Sequence, residues 1–314
     1  MTTSGRAALG AADFSLRQLQ YFVTTAEEGS VTAAAELLYV SPTAVSLSLT
    51  QLEKLLGTEL LIRRRAHGAA LTPLGESLLP HARAVLAAAS RLVDEVGVGG
   101  ELRGSVAVGC FPSMGPTMLP TIIHTFLVDH PAVRVRFNED HSDRLETDAQ
   151  TGRIDLLLSY DIGLSDDLEK TALGQLRVGV LLPAGHWAAD PLVDVDLARL
   201  AREPYVALQS QTSDAHFTRI WRTTGITPPE VRYSSENFET VRSMVGRGLG
   251  WSITMQRPRS PLSHEGLAVV TRDLPDGIVD PVDVVVAWRA SATLSRPARA
   301  LRDMIVRDGS RYVS

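Results

Sequence analysis

The chain has one cysteine, Cys110, among its 314 residues. That scarcity excludes an intramolecular disulfide framework and a multi-cysteine zinc site, and it suits a reducing compartment. There is no apolar run of the roughly 18 residues that span a bilayer, and Met1 to Ala12 lacks the apolar core of a signal peptide. The expectation is a cytoplasmic protein with no membrane partner. Positive charge is not in excess either: Lys and Arg number 31 against 36 Asp and Glu, for a net charge of −5. Any nucleic-acid function therefore has to rest on a local basic patch.

Catalytic patterns are equally scarce. The eight histidines show no HExxH or paired metal-ligand spacing. Ser77, Ser113 and Ser252 lack the flanking glycines of a nucleophile elbow. Gly248-Leu249-Gly250 has no third glycine at the offset of a nucleotide fingerprint and precedes a strand, so it reads as a tight turn. The expectation is no enzyme, no cofactor and no metal. The composition is otherwise that of a folded globular chain, 44% hydrophobic and 21% charged, long enough for two or three domains.

Leu16, Leu19, Phe22, Val23 and Ala26 share one face of a helix that Gly29-Ser30 closes. A short second helix is predicted from Thr32 to Leu38, ending at Tyr39-Val40. Ser41 then suits an N-cap and Pro42 a first helical position, opening a third helix through Val45, Leu49, Leu52 and Leu56 to Gly57. Two helices around a sharp corner are the layout of a helix-turn-helix. Two extended segments, Glu59 to Ile62 and Ala69 to Thr72, flank Arg63, Arg64 and Arg65, as in the hairpin of a winged helix. In isolation such a run is a solvated surface loop; directly after a recognition helix it is where phosphate contacts are needed.

A long helix is predicted from Thr72-Pro73 to about Val96. Leu78, Ala82, Val85, Ala89, Leu92 and Val96 alternate by four and three, a coiled-coil seam that suits dimerisation, or else packing on the helix's own domain. Gly97 to Gly100 and Gly104 form a hinge. Beyond it, short strands alternate with helices: strand 105–109, helix 116–129, strand 133–137, helix 143–151 and strand 154–159. A second similar set runs from Val178 to Ile253, then a strand from Pro281 to Trp288 and a helix from Arg296 to Arg307. Such a succession defaults to parallel pairing with covering helices.

The run Leu16-Arg17-Gln18-Leu19-Gln20-Tyr21-Phe22, with Glu28-Gly29-Ser30-Val31-Thr32-Ala33-Ala34-Ala35, Val40-Ser41, Ala44-Val45-Ser46, Leu52-Glu53, Leu56-Gly57, Leu60-Leu61, Arg63, Leu71-Thr72 and Gly75, resembles the N-terminal domain of LysR-type transcriptional regulators. The remainder is similar in order and length to that family's effector-binding domain. The resemblance implies a winged helix-turn-helix over 14–72, a linker and dimerisation helix over 73–97, and an effector-binding domain over 104–314. That domain would comprise two α/β lobes of periplasmic-binding-protein type, lobe I about 104–176 and 281–314, lobe II about 177–280. It further implies a tetramer of two dimers, double-stranded DNA and a small-molecule effector as partners, and contact with RNA polymerase.

Carried over position by position, the resemblance places DNA contacts at Thr32, Ser41, Pro42, Thr43, Ser46, Leu47 and Thr50, and on the wing at Arg63, Arg64 and Arg65. Leu47 departs from the basic or amide residue common there, so this recognition helix relies more on apolar contact. Effector contacts are expected from loops at strand ends: Phe111, Pro112 and Ser113, then His141-Ser142, then Tyr160 and Asp161, then Gln209 and Ser210, and Ser235 to Asn237. Each is also a plausible turn or capping residue. A ligand carboxylate near Pro116 would meet the backbone amides at a helix start. Cys110 reads either as a small core residue or as an oxidant sensor.

Overall fold

The computed structural model describes residues 14–64, 68–95, 101–209 and 211–313. The chain divides into two compact units, the first running to Gly99 and the second comprising most of the rest. Each is built around its own core.

The first unit contains α1 (Leu16–Glu28), α2 (Val31–Leu37), α3 (Pro42–Leu56), β1 (Leu61–Arg64), β2 (Gly68–Leu71) and α4 (Pro73–Glu95). Serines set the first three helix starts. Ser15 forms a capping box with Gln18, Ser30 accepts from the Ala33 amide, and Ser41 accepts from the Ala44 amide with Pro42 next in line. Glycines in the left-handed region, Gly29 and Gly57, end α1 and α3. Ala34 and Ala35 are fully buried, letting the helices cross closely, and Val45, Leu49 and Leu52 fill the core beside Leu19 and Phe22. Burying each such aliphatic side chain contributes about 2 kcal/mol. Glu53 accepts from the amides of Leu60 and Leu61 and so ties α3 to the antiparallel β1–β2 hairpin. Gly75 is required on α4: a Cβ there would fall 2.2 Å from the Leu60 carbonyl oxygen.

In the second unit follow β3 (Gly104–Cys110), α5 (Gly115–Asp129), β4 (Val133–Glu139), α6 (Ser142–Gln150), β5 (Leu156–Tyr160) and β6 (Leu168–Leu176). Then come β7 (Gly179–Pro183), α7 (Leu197–Leu200), β8 (Tyr205–Leu208), α8 (Gln211–Thr224), β9 (Val231–Ser235), α9 (Phe238–Gly246) and β10 (Ser252–Thr254). The last elements are β11 (Val269–Asp273), β12 (Val282–Arg289), α10 (Arg296–Asp308) and α11 (Ser310–Val313). One lobe holds a five-stranded sheet of order β4-β3-β5-β12-β6. Its strands alternate faces: Leu156, Leu158 and Tyr160 join the main core with α5 and α10 residues, whereas Leu157, Val285 and Ala287 pack on Leu145 and Ala149 of α6. The other lobe holds the three-stranded sheet β10-β7-β11 and the β8–β9 pair, linked by the bridge between Tyr205 and Trp251. Trp251 is buried, and its indole donates to the Leu200 carbonyl.

Parallel pairing holds for β3 with β4 and β5, and for β8 with β9. It fails at β12, which runs antiparallel to both β5 and β6, and at β7, antiparallel to β10 and β11. Strands β6 and β11 escape the sequence reading, because their burial alternates irregularly and β6 is paired across a register shift at Val284/Val285. Helix α10 returns to the first sheet, against β3, β6 and α5.

Candidate nucleic-acid interface and ligand cleft

On α3, Val45, Leu49 and Leu52 face the core, so the opposite side is presented outward. There Pro42, Thr43 and Thr50 are exposed and Leu47 is 61% exposed, with Ser46 half-buried between the two faces. The Thr50 hydroxyl donates to the Ser46 carbonyl, and Ser41 is engaged in capping. Thr32 is exposed on α2. Arg63 and Arg64 lie on β1, paired with Ala69 and Gly68, while Arg65 lies outside the described residues. From Val31 to Leu56 the formal charges are only Glu36, Glu53 and Lys54, and Glu53 is spent on the hairpin amides. Apart from exposed Gln51 and Lys54, the outward side of α3 is therefore apolar and hydroxylated.

The seam expected along α4 is divided. Ala82 is buried in the unit's own core, with Leu79 beside it and Leu78 packed against them. Ala82 therefore leaves the dimerisation set, because α4 packs on α1 along its first turns. Val85 is 43% and Leu92 72% exposed, and Ala89 is half-buried. Val96 lies outside the described residues.

Within the second unit a cleft of about 1060 Å³ is lined from both lobes. Its first wall follows β3, where the Phe111 carbonyl accepts from the amides of Met114 and Gly115 and turns the chain into α5. Ser113 Oγ and Tyr160 OH lie 3.0 Å apart, and Phe111 sits edge-on to both His141 and Tyr160. Burial pushes the Tyr160 phenol up to about 12, against the opposing effect of the Ser113 hydrogen bond. The second wall comes from α9 and the segment after β10. Asn237 caps α9 by accepting from the Thr240 amide. Buried Arg242 donates to Glu239 at 2.5 Å and to the Ser260 and Leu262 carbonyls at 2.6 and 2.9 Å, fastening the segment that carries Pro258, Arg259 and His264 onto α9. Arg257 is held by Asp273 at 2.5 Å and by the Arg177 carbonyl.

Of the expected effector residues, Phe111, Pro112, Ser113, His141, Tyr160 and Asn237 line this cleft. Ser142 does not: it is buried, with Oγ 3.3 Å from Ser159 Oγ. Asp161 pairs with Lys170 at 2.9 Å, Ser235 accepts from the Asn237 amide, and exposed Gln209 bonds through its backbone to Ser235. These three serve turns and strand ends, and Ser210 lies outside the described residues. Thr117, Met255, Gln256, Arg257 and His264 line the cleft unannounced. Reading the end of the strand after Trp251 as the other strand ends were read would have found Met255 to Arg257.

The start of α5 corrects the carboxylate expectation. The Gly115 amide bonds to the Phe111 carbonyl, Pro116 has no amide hydrogen, and the Thr117 and Met118 amides both bond to the Met114 carbonyl. A Cβ on Gly115 would fall 1.5 Å from Glu139 Oε1, so a carboxylate of the chain already abuts this helix end. Cys110 is fully buried in the main core, and burial first, then the nearby Glu139 charge, pushes its thiol far above the usual range. That is the setting of a core residue and not of a reactive thiolate. Among the described residues no group of three His, Cys, Asp or Glu could hold a metal ion, and no helix is long and apolar enough to cross a membrane.

Residues 16–76 match the bacterial regulatory helix-turn-helix protein, lysR family, and residues 99–310 match the LysR substrate binding domain. The chain is 28% identical to the RuBisCO operon transcriptional regulator of Allochromatium vinosum, over 95% of this chain and 97% of that one. Among solved structures, full-length OxyR from Pseudomonas aeruginosa is 27% identical with a TM-score of 0.71, covering 93% of this chain and 98% of that one. The C-terminal domain of a probable LysR family regulator from Rhodococcus sp. RHA1 is 40% identical with a TM-score of 0.62, covering 65% and 99%.

Proposed function

The chain belongs to the LysR family of transcriptional regulators, with a DNA-binding helix-turn-helix unit and an effector-binding unit, and on that premise we propose how its own residues divide the work. The outward side of α3 reads DNA in the major groove, with Thr43 and Leu47 against base edges and thymine methyls. Arg63, Arg64 and Arg65 supply phosphate contacts from the hairpin. The observation that carries this reading is the segregation on α3: Val45, Leu49 and Leu52 are buried while Thr43, Leu47 and Thr50 stand exposed and contribute little to the core.

The protein acts as a dimer paired into a tetramer, on pseudo-palindromic promoter DNA, because two-fold protein symmetry asks for symmetric half-sites. The exposed part of α4 around Val85 and Leu92 is its seam. The cleft holds a small molecule with an apolar body, set against Phe111, Met114, Met118 and Met255, and with hydrogen-bonding groups directed to Ser113 and Asn237. Differential affinity of that molecule for two arrangements of the lobes shifts the DNA-bound state. Contact with RNA polymerase, operation in the cytoplasm and the absence of catalysis belong to the same proposal.

A footprint on the intergenic DNA beside the protein's own gene tests it. A protected inverted repeat that disappears in a Thr43→Ala, Arg63→Ala double variant is the expected result. No protection at low salt by folded dimeric protein would overturn it.

A further inference from the structure

We infer that Tyr39, in the corner between α2 and α3, is a DNA-contacting residue that grips the backbone beside the recognition helix; the inference rests on the DNA-binding reading of the first unit. The corner is a complete helix-ending motif. The Tyr39 amide donates to the Glu36 carbonyl at 3.2 Å and the Val40 amide to the Ala35 carbonyl at 3.0 Å, the paired bonds that close a helix through one left-handed residue. Glycine normally occupies that position, because a Cβ in the left-handed region meets the neighbouring carbonyl. Here it is a tyrosine at φ 54°, the one non-glycine residue with positive φ among those described.

Among the described residues nothing compensates for the choice. The Tyr39 side chain is 96% exposed, so it neither packs nor caps. It stands two residues before Ser41, the N-cap of α3, and is followed by exposed Pro42 and Thr43. A strained backbone holding an idle aromatic ring next to a binding face indicates that the ring works in the complex. The chemistry fits DNA backbone: a phenol donates to a phosphate oxygen while its ring covers the sugar. It also fits a local need, since the α2–α3 region has Lys54 as its sole positive charge.

The experiment measures Kd for a duplex oligonucleotide spanning the footprinted site, with full-length wild type, Y39F, Y39N and Y39G. Expected are about threefold weaker binding for Y39F and about tenfold for Y39G and Y39N. The slope of log K against log salt stays at the wild-type value, because a neutral contact releases no counterion. In the same proteins, amide exchange at the end of α2 slows about fivefold in Y39G, as the strain is relieved. Y39G binding within twofold of wild type overturns the inference. Unchanged affinity together with lost transcription in a purified system also overturns it, and assigns the ring to a protein partner instead. A wild type that protects no DNA removes the underlying DNA-binding reading, a failure distinct from the other two.

Discussion

The two units expose the residues proposed to bind in opposite ways. On α3, Leu47 is 61% exposed and Thr43 lies open to solvent, whereas in the cleft Phe111, Met114, Met118 and Tyr160 are each at most 5% exposed. In the proposed division a long rigid polymer meets a convex helix face, whose contacts must protrude and whose loss leaves the fold intact. A small molecule is met by a concavity whose lining is also the core. In the first unit binding and stability are therefore separable by mutation, and in the second they are entangled.

The sharpest way to break that contrast is within α3. Leu52→Ala removes a fully buried side chain and should cost the first unit about 3 kcal/mol, abolishing DNA binding through unfolding, as denaturant titration followed by the loss of helix will show. The second unit should retain its separate transition. If Leu52→Ala leaves stability unchanged, the assignment of the inner face is wrong.

In the cleft, Tyr160 should make stability depend on high pH. Its phenol is raised from 10.0 to about 12 in the fold, so the protonated form is favoured. The stabilisation is whole below pH 10 and is lost as pH rises through 12, with an upper bound on the order of 2–3 kcal/mol. Tyr160→Phe should flatten that limb of the urea-midpoint profile and weaken ligand binding through the lost Ser113 contact. An unaltered profile between pH 10 and 12 would show that other groups govern it.

Leu47→Ala should leave the unfolding free energy from urea titration within about 0.5 kcal/mol of wild type, yet weaken operator binding by about 1 kcal/mol, preferentially for sites bearing thymine at the contacted position. Equal losses of stability and affinity would merge the two roles that α3 keeps apart. The smallest effect is expected at Cys110: a thiol reagent should modify the native protein only as fast as it opens, and Cys110→Ala should leave any response to peroxide unchanged. Rapid modification of the folded chain would revive the oxidant-sensing reading.

Much of the first unit was legible because its signals are local. Ser41-Pro42 marks a helix start whatever surrounds it, and Gly57 an end, so α3 falls where expected. The strand-end rule also named Phe111, Pro112, Ser113, His141, Tyr160 and Asn237, which line the cleft. Ser142 and Asp161 do not line the cleft, because a residue beside a strand end points into the cleft or into a neighbouring layer according to strand register, which one sequence does not display. Met255 to Arg257 were reachable by the same rule. His264 was not: it reaches the cleft because Arg242, far from it in sequence, holds the Ser260 and Leu262 carbonyls.

By itself, the sequence determined the helix-turn-helix, the inner and outer sides of α3 and the succession of strands and helices. Those follow from capping, periodicity and turn chemistry acting over a few residues. Only the tertiary structure decided that β12 runs antiparallel between β5 and β6, that Ala82 is spent on the intrachain core, and that the start of α5 has no amide left for an anion. These depend on pairing and packing between distant segments, where many arrangements satisfy the same local pattern and the total buried surface selects one.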